Sequence, residues 1–421
     1  MRGLAYYWLL IAAAAACGQG QPPTPILSGF VTRVASGADF DVNATRILCG
    51  PDTQIASPNR DSYVPGCPEQ PPVLGQEVNV YGHRRTKQNA IVAERLEFKP
   101  VSRGEISGSA VVDAVLQADA SGQGTIEIRA DGYRIAITPR TEVEFVAPLR
   151  TPADIMTNVW VDYDAKAGSH GVFEAHDAKF RQNLISRSQD GRRAKTEYDP
   201  ATVPANAKQN GISATVSGPD PKQMAPWPDT AMQERVQTIG NKLVPAWEHN
   251  LADADPTRIR FRFEVTTGDG WRRVIALPSG VILVPHWIVE RMQDDSQLAE
   301  VLADAIACVM EKQDFRMAGS NAAFGSGAGT EVAAFAVSPA LGGTLTGISA
   351  VLRKDERQSG RVSVGLMHDA GYDISQAPMA WWLLESKKPK PVTRIAMPDR
   401  AAYLYQILGE VWEGAGEATG P

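Results

Sequence analysis

Two side chains that could bind a metal ion, Asp304 and Cys308, lie four residues apart in an apolar segment. The apolar residues of this segment recur with a helical period, which predicts a helix over 296–314. Residues i and i+4 share one face of a helix, and zinc accepts both carboxylate and thiolate ligands. The alternative interpretation is structural, with Cys308 as a small buried side chain and Asp304 as a hydrogen-bonded helix residue.

The neighbouring segments predict an α+β domain around this helix. Residues 232–243 have the apolar period of an amphipathic helix, and residues 259–265 alternate like a half-buried strand. A turn at 278–280 is followed by a short apolar strand at 281–284. Strands and helices in this order would hold the 296–314 helix against a small sheet.

Two phrases on either side of the Cys308 segment resemble zinc metallopeptidases of the M48 family. Residues 276–280 read ALPSG, close to a family phrase ALPGG, and residues 366–373 read LMHDAGYD, close to the family's LMxxAGYD. Both occur in the family order around the predicted helix. The resemblance covers residues 228–415 and implies a zincin-like fold.

The resemblance also implies a site whose chemistry is missing. In the family, a His-Glu-x-x-His motif binds zinc through its two histidines, and its glutamate is the general base. Asp304 and Cys308 stand at the two histidine positions, and Ala305 stands at the position of the base. Glu356 matches the family's third zinc ligand, whereas Gly360 replaces an aspartate.

We therefore expect a non-catalytic pseudopeptidase that binds or scaffolds polypeptides and carries no cofactor. The predicted peptide-binding edge is the apolar strand formed by Val281, Ile282, Leu283 and Val284. The alternative is a hydrolase with an altered zinc site at Asp304, Cys308 and Glu356. A third interpretation is a purely structural domain, which the sequence does not separate from the first.

The N-terminus is typical of export. Arg2 precedes an apolar stretch at 4–16 that is too short for a comfortable membrane span, so residues 1–16 are predicted to be a signal peptide. The sequence AAAC at 14–17 resembles a bacterial lipobox, which implies lipidation of Cys17 and a tether at 17–25. Because Gly18 is not aspartate, we expect anchoring on the periplasmic side of the outer membrane. The alternative is a plain secreted protein cleaved near Ala16.

Two further cysteines, Cys49 and Cys67, follow in the predicted exported part. Disulfides form in oxidising compartments, so we expect these two to pair. Such a bridge would stabilise the fold by about 2–4 kcal/mol.

Residues 26–182 predict two similar β modules, 26–99 and 100–182. Short alternating strands recur with a period of roughly 80 residues, and Ala93 and Ala175 fall in register. Each module has enough strands for a barrel, and the pattern resembles OB-like domains of exported proteins. Polar residues 183–226 are expected to be a linker or a strap, and residues 227–415 form the peptidase-like domain.

The charge balance excludes one class of partner. The net charge is −6 across 421 residues, and no basic run is interleaved with aromatic residues. We therefore expect no nucleic-acid binding. The expected partners are the membrane, through the lipid, and envelope polypeptides or an active peptidase homologue.

Overall fold

The computed structural model describes nine segments: 24–56, 63–100, 104–118, 124–203, 224–268, 273–315, 346–385, 392 and 395–412. Cys17 and the predicted signal peptide lie outside these residues. Within the described segments, no helix is both long enough and apolar enough to cross a membrane.

The first barrel is built from seven strands. They are β1 (Leu27–Ser36), β2 (Asp39–Val42), β3 (Thr45–Leu48), β4 (Gln54–Ala56), β5 (Val64–Pro65), β6 (Glu77–Arg85) and β7 (Ala90–Phe98). Five of them close the barrel in the order β3-β2-β1-β6-β7, because β3 also pairs in parallel with β7. β4 and β5 extend the sheet beyond β7. Alternating apolar residues such as Phe40, Ile47 and Leu96 fill the interior and are fully buried.

The second barrel repeats this topology with six strands. They are β8 (Glu105–Gln117), β9 (Ile126–Ala130), β10 (Tyr133–Ile137), β11 (Glu142–Phe145), β12 (Val159–Ala167) and β13 (Val172–Gln182). The closed part has the order β10-β9-β8-β12-β13, and β10 is parallel to β13. The prediction of two OB-like β-barrels is confirmed.

The internal repeat extends to single hydrogen bonds. In the first barrel, the Thr53 hydroxyl donates to the Ala93 carbonyl at 2.8 Å. In the second, the Thr141 hydroxyl donates to the Ala175 carbonyl at the same distance, 2.8 Å. Each bond joins the residue just before the additional strand, β4 or β11, to the last strand of the closed barrel, β7 or β13. The two barrels are therefore built in the same way.

The remaining chain is an α+β region. Its elements are α1 (Arg187–Lys195), α2 (Thr230–Leu243), α3 (Ala246–His249), β14 (Arg262–Thr266), β15 (Ile275–Ala276), β16 (Val281–Pro285), α4 (His286–Arg291), α5 (Asp295–Met310), α6 (Thr346–Asp369), α7 (Ala377–Leu384) and α8 (Asp399–Glu410). The side chain of Asp294 caps α5 by accepting from the Gln297 amide at 2.9 Å. Helix α5 is buried along nearly its whole length and packs against α2, α6 and α7.

One prediction about the sheet is wrong. β16 lies in the middle of the three-stranded sheet, with β14 parallel on one side and β15 antiparallel on the other. Ile282 and Leu283 are therefore paired on both sides, and all four residues from Val281 to Val284 are buried, so this run does not form an edge. An apolar run without polar alternation is typical of a strand covered on both faces, which explains the buried central position.

The predicted linker is partly a strap over this sheet. Helix α1 lies within it, and Tyr198 beyond that helix is buried. The Tyr198 hydroxyl donates to the Met224 carbonyl at 2.7 Å, and both residues pack against Ile275 and Leu283. The described ends of the segment thus cover one side of the sheet.

Buried arginines join the second barrel to α6. Arg129 on β9 is 2% exposed and bonds to Asp113 at 2.8 Å and to Asp369 at 2.5 Å. Arg361 on α6 pairs with Asp131 of the barrel, and its Nε donates to the Asp131 carbonyl at 2.9 Å. A buried guanidinium is tolerated only when it is paired, so these contacts fix the helix on the barrel.

Both barrels also contact the end of α8. Gly75 of the first barrel has a φ of +81° and lies against the backbone of Tyr405, with no room for a Cβ atom. Gly171 of the second barrel, with a φ of +72°, lies in the same way against Val411. Ile407 and Val411 complete the apolar core of the second barrel.

We expect Arg129→Met to lower the free energy of unfolding by about 3–5 kcal/mol, because it leaves Asp113 buried without its cation. The control is Arg33→Met, which removes an exposed ion pair with Asp39 and Asp41 and should cost about 0–1 kcal/mol. Urea unfolding measures both values. Equal losses in the two variants would contradict a structural role for the buried pair.

Candidate functional site

A small cavity lies between β15 and α5, at the position that the sequence singles out. Its volume is about 60 Å³, enough for a few water molecules. Asp304, Ala305, Cys308 and Glu356 all line it, so the structure brings the four predicted residues together around one space. Ala276 of β15 lines its other side.

Asp304 is paired with an arginine. The Arg400 guanidinium donates to Asp304 Oδ1, and its Cζ lies 3.4 Å from the centre of the Trp381 ring. Burial raises the pKa of Asp304 above its usual range, and the charge of Arg400 opposes this. Asp304 therefore already has a cationic partner, which is held in place by an aromatic ring.

Cys308 carries a protonated thiol at neutral pH. Burial, followed by the negative charge of Asp304, raises its pKa well above the ordinary value for cysteine. Zinc is bound by the thiolate, so metal binding here would require a proton to leave against both effects.

Glu356 is paired with a second arginine. Arg273 Nη1 lies 2.5 Å from Glu356 Oε1, at the mouth of the cavity. Among the residues that the structure describes, no three His, Cys, Asp or Glu side chains form a group that could hold a metal ion. The alternative zinc site stays a prediction, and two of its three donors are bonded to guanidinium groups.

A buried carboxyl group is hydrogen-bonded to Trp381, the residue on which Arg400 packs. Glu300 lies one helical turn before Asp304 and is 0% exposed. It accepts from Trp381 Nε1 at 2.7 Å and from the Ser363 hydroxyl at 2.9 Å. Burial, and then the charge of Asp304, raises the pKa of Glu300 from 4.5 to about 8.

Four residues of the site, Arg400, Arg273, Trp381 and Glu300, are not predicted from the sequence. Arg400 is 96 residues from Asp304 in the chain. No local period links such residues, since only the packing of α7 on α5, and of α8 on α6 and α7, brings them together. Glu300 alone has a local signal, because it is a second charged residue, besides Asp304, among the apolar residues of α5.

The stability of the protein should depend on the protonation of Glu300. Its pKa is higher in the folded state than in the unfolded chain, so the stability it provides is present below pH 4.5 and is lost as the pH rises towards 8. We expect the stability of Glu300→Gln relative to the wild type to rise with pH between 4.5 and about 8, by on the order of 1 kcal/mol per pH unit.

Urea unfolding at pH 5 and pH 8.5 tests this dependence. Glu144→Gln is the control, because Glu144 is an exposed carboxylate with a 64% exposed side chain, and its substitution should leave the difference between the two pH values unchanged. If Glu300→Gln shows the same stability relative to the wild type at both pH values, the folded protein does not hold that proton.

The Cys49 and Cys67 side chains meet in the first barrel as free thiols. Cys49 Sγ lies 3.6 Å from the Gly66 carbonyl, and Cys67 Sγ lies 3.7 Å from the Gly50 carbonyl. Burial and a hydrogen bond with Cys67 raise the pKa of Cys49 to about 12. Proximity allows the predicted disulfide, which stays a prediction.

We expect protein prepared under oxidising conditions to resist alkylation at Cys49 and Cys67 until a reductant is added, because the bridge protects both. Alkylation is carried out in denaturant, so that the buried thiol of Cys308 reacts and serves as the internal control, since it has no cysteine partner among the described residues. Mass spectrometry of the alkylated peptides measures this, and full alkylation of Cys49 without reductant would contradict the bridge.

Comparisons with known proteins leave the family undetermined: no protein-family model matches the sequence, and no curated protein matches it significantly.

Proposed function

We propose that the C-terminal region is a pseudopeptidase, which binds an extended polypeptide without cleaving it by the metallopeptidase mechanism. The observation that carries this proposal is the pairing of Asp304 with Arg400. Where the M48 resemblance requires a zinc ligand, this protein has a carboxylate already bonded to a guanidinium. Ala305 beside it has no group that can accept a proton from water.

The peptide-binding edge in this proposal is β15, which replaces the strand expected from the sequence. The Leu277 amide donates to the Val281 carbonyl at 2.8 Å, so these two residues form a hydrogen-bonded pair. In antiparallel pairing such pairs alternate with pairs whose N–H and C=O groups point away from the partner. Ala276 pairs opposite Ile282, so its backbone groups point away from β16.

Ile275 and Ala276 are buried, so an added strand would have to displace the residues that cover β15, and it would then run beside the cavity. Ala276 lines the cavity, as do Val274 and Val301, which offer apolar contacts to a peptide side chain. Main-chain hydrogen bonds give affinity in this mode of recognition, and pockets beside the strand give specificity. The charged pair of Asp304 and Arg400 at the base would favour a polar side chain there.

The proposed cellular setting follows from the N-terminal sequence alone. A lipid on Cys17 would hold the protein on the periplasmic side of the outer membrane, with the barrels between membrane and peptide-binding region. Envelope polypeptides or an active peptidase homologue would then be the partners, and envelope quality control the process.

We expect Ala276→Pro to weaken binding of an unstructured polypeptide about five- to tenfold, because proline removes an outward N–H and one backbone hydrogen bond is worth about 1 kcal/mol. Fluorescence anisotropy with labelled β-casein as the probe measures the affinity. Ala276→Ser is the matched control, since it keeps the N–H and a small side chain. Unchanged binding by a folded Ala276→Pro protein would exclude β15 as the edge.

We also expect zinc far below one ion per chain in protein purified without chelator, because the donors are bonded to Arg400 and Arg273. Elemental analysis measures it, with Cys308→Ser and Cys67→Ser as paired variants. Zinc near one per chain that disappears only in Cys308→Ser would overturn the pseudopeptidase proposal in favour of an altered-site hydrolase.

A further inference from the structure

A second pocket lies where the end of α5 meets the second barrel. Its volume is about 250 Å³, close to the lower limit for small-molecule sites. It is formed by the ends of β12 and β13, the start of α1 and the residues after α5; its lining residues are Trp160, Arg181, Gln182, Asn183, Leu184, Gln189, Lys312 and Phe315. We call it the Lys312 pocket.

Two cations flank one aromatic ring in this pocket. Lys312 Nζ lies 5.5 Å from the centre of the Trp160 ring, and Arg181 Cζ lies 5.8 Å from it. The ring is fixed, because Trp160 is 8% exposed and its Nε1 donates to the Ser109 hydroxyl at 2.6 Å. Among the residues that the structure describes, no aspartate or glutamate lines the pocket, so this part of the lining carries only positive charge.

The acidic side chains that act on the cations of this region lie outside the described pocket lining. Three cations lie together, since Arg181 and Arg193 both act on Lys312. Asp162 pairs with Arg181, Glu311 attracts Lys312, and Glu248 and Asp190 attract Arg193, so each of the three cations has an acidic counterpart. The Lys312 ammonium is held by the Leu184 carbonyl at 2.8 Å, which is a neutral acceptor.

The partial burial of Lys312 changes the pKa of its ammonium group. Burial, followed by repulsion from Arg193, lowers the pKa of Lys312 to about 8, although Glu311 opposes the shift. An anion in the pocket would relieve this repulsion and restore the usual pKa.

We propose that the Lys312 pocket binds a carboxylate on a short apolar body. Arg181 and Lys312 are the charged side chains of the described lining, and Asp162 and Glu311 already offset part of their charge, which favours a monoanionic carboxylate over a dianionic phosphate. Leu184, which is 63% exposed, and Phe315 offer apolar contacts, and the amides of Gln182, Asn183 and Gln189 offer hydrogen bonds. The volume accommodates about one amino-acid residue.

Two kinds of ligand have a carboxylate on a short apolar body, namely the C-terminus of a polypeptide and a free small carboxylic acid. The site does not depend on peptide binding along β15, because the two cavities share no lining residue and are separated by the turn after α5. Failure of one proposal therefore leaves the other intact.

Isothermal titration of the full chain with two pairs of ligands tests the proposal. The first pair is N-acetyl-leucine and N-acetyl-leucinamide, which differ only in the carboxylate. The second pair is an unstructured decapeptide ending in leucine, with a free or an amidated C-terminus. We expect each acid to bind at least about tenfold more tightly than its amide, as for a charge-assisted hydrogen bond.

Variants then locate the binding. Lys312→Met should weaken binding of the acids at least about tenfold, whereas Lys242→Met, which removes an exposed lysine 4.6 Å from the Tyr372 ring, should not. Arg181→Gln is a second variant at a side chain that is 40% exposed, in case Lys312→Met fails to fold. Affinity should also fall between pH 7 and pH 9.5 as Lys312 loses its proton.

The outcomes separate the sources. Tighter binding of the decapeptide acid than of N-acetyl-leucine supports a chain terminus, and equal or weaker binding supports a free acid. Equal affinity for acid and amide, no binding of either acid, or full affinity in both folded variants would overturn the proposal.

Discussion

The pairing of buried arginines between the second barrel and α6 is the constraint on which the other features depend. A guanidinium that is removed from water must have its partners in fixed positions, and Arg129 and Arg361 each bridge the two parts of the chain. Gln358 of α6 adds a bond to the Ser109 carbonyl at 3.2 Å and one to Glu311 at 3.3 Å. The position of α6 beside α5 is thus set by the barrel as well as by its own apolar face.

Both cavities depend on this arrangement. Glu356 and Ser359 of α6 form one wall of the cavity at Asp304, and Trp160 of the barrel forms one wall of the Lys312 pocket. The barrels are therefore integral to the sites that the α+β region presents. The Asp304 site is itself a chain of polar contacts, from Arg400 through Trp381 to Glu300 and Ser363. Such a chain fixes the positions of its charged groups through hydrogen bonds.

The parts of the fold that the sequence predicts are those with a local signal. The barrel strands follow from alternation and from the internal repeat, and α5 follows from its apolar period. The position of β16 was misjudged, although its unbroken apolar run indicated a strand covered on both faces. The pairing of Asp304 with Arg400 was not predictable, because it joins residues that only the packing of separate helices brings together.

The shared contact of the two barrels with α8 bears on how the duplicated unit has diverged. The two barrels contact the end of α8 at different residues. Each barrel uses a different part of its own surface for this contact. Gly75 comes before β6 of the first copy, whereas Gly171 comes before β13 of the second, and these are different turns of the common plan. The sequence requirements at these two turns therefore differ between the barrels, although the topology is the same. Exchanging the two barrels by recombination would keep both folds and lose both contacts with the helix.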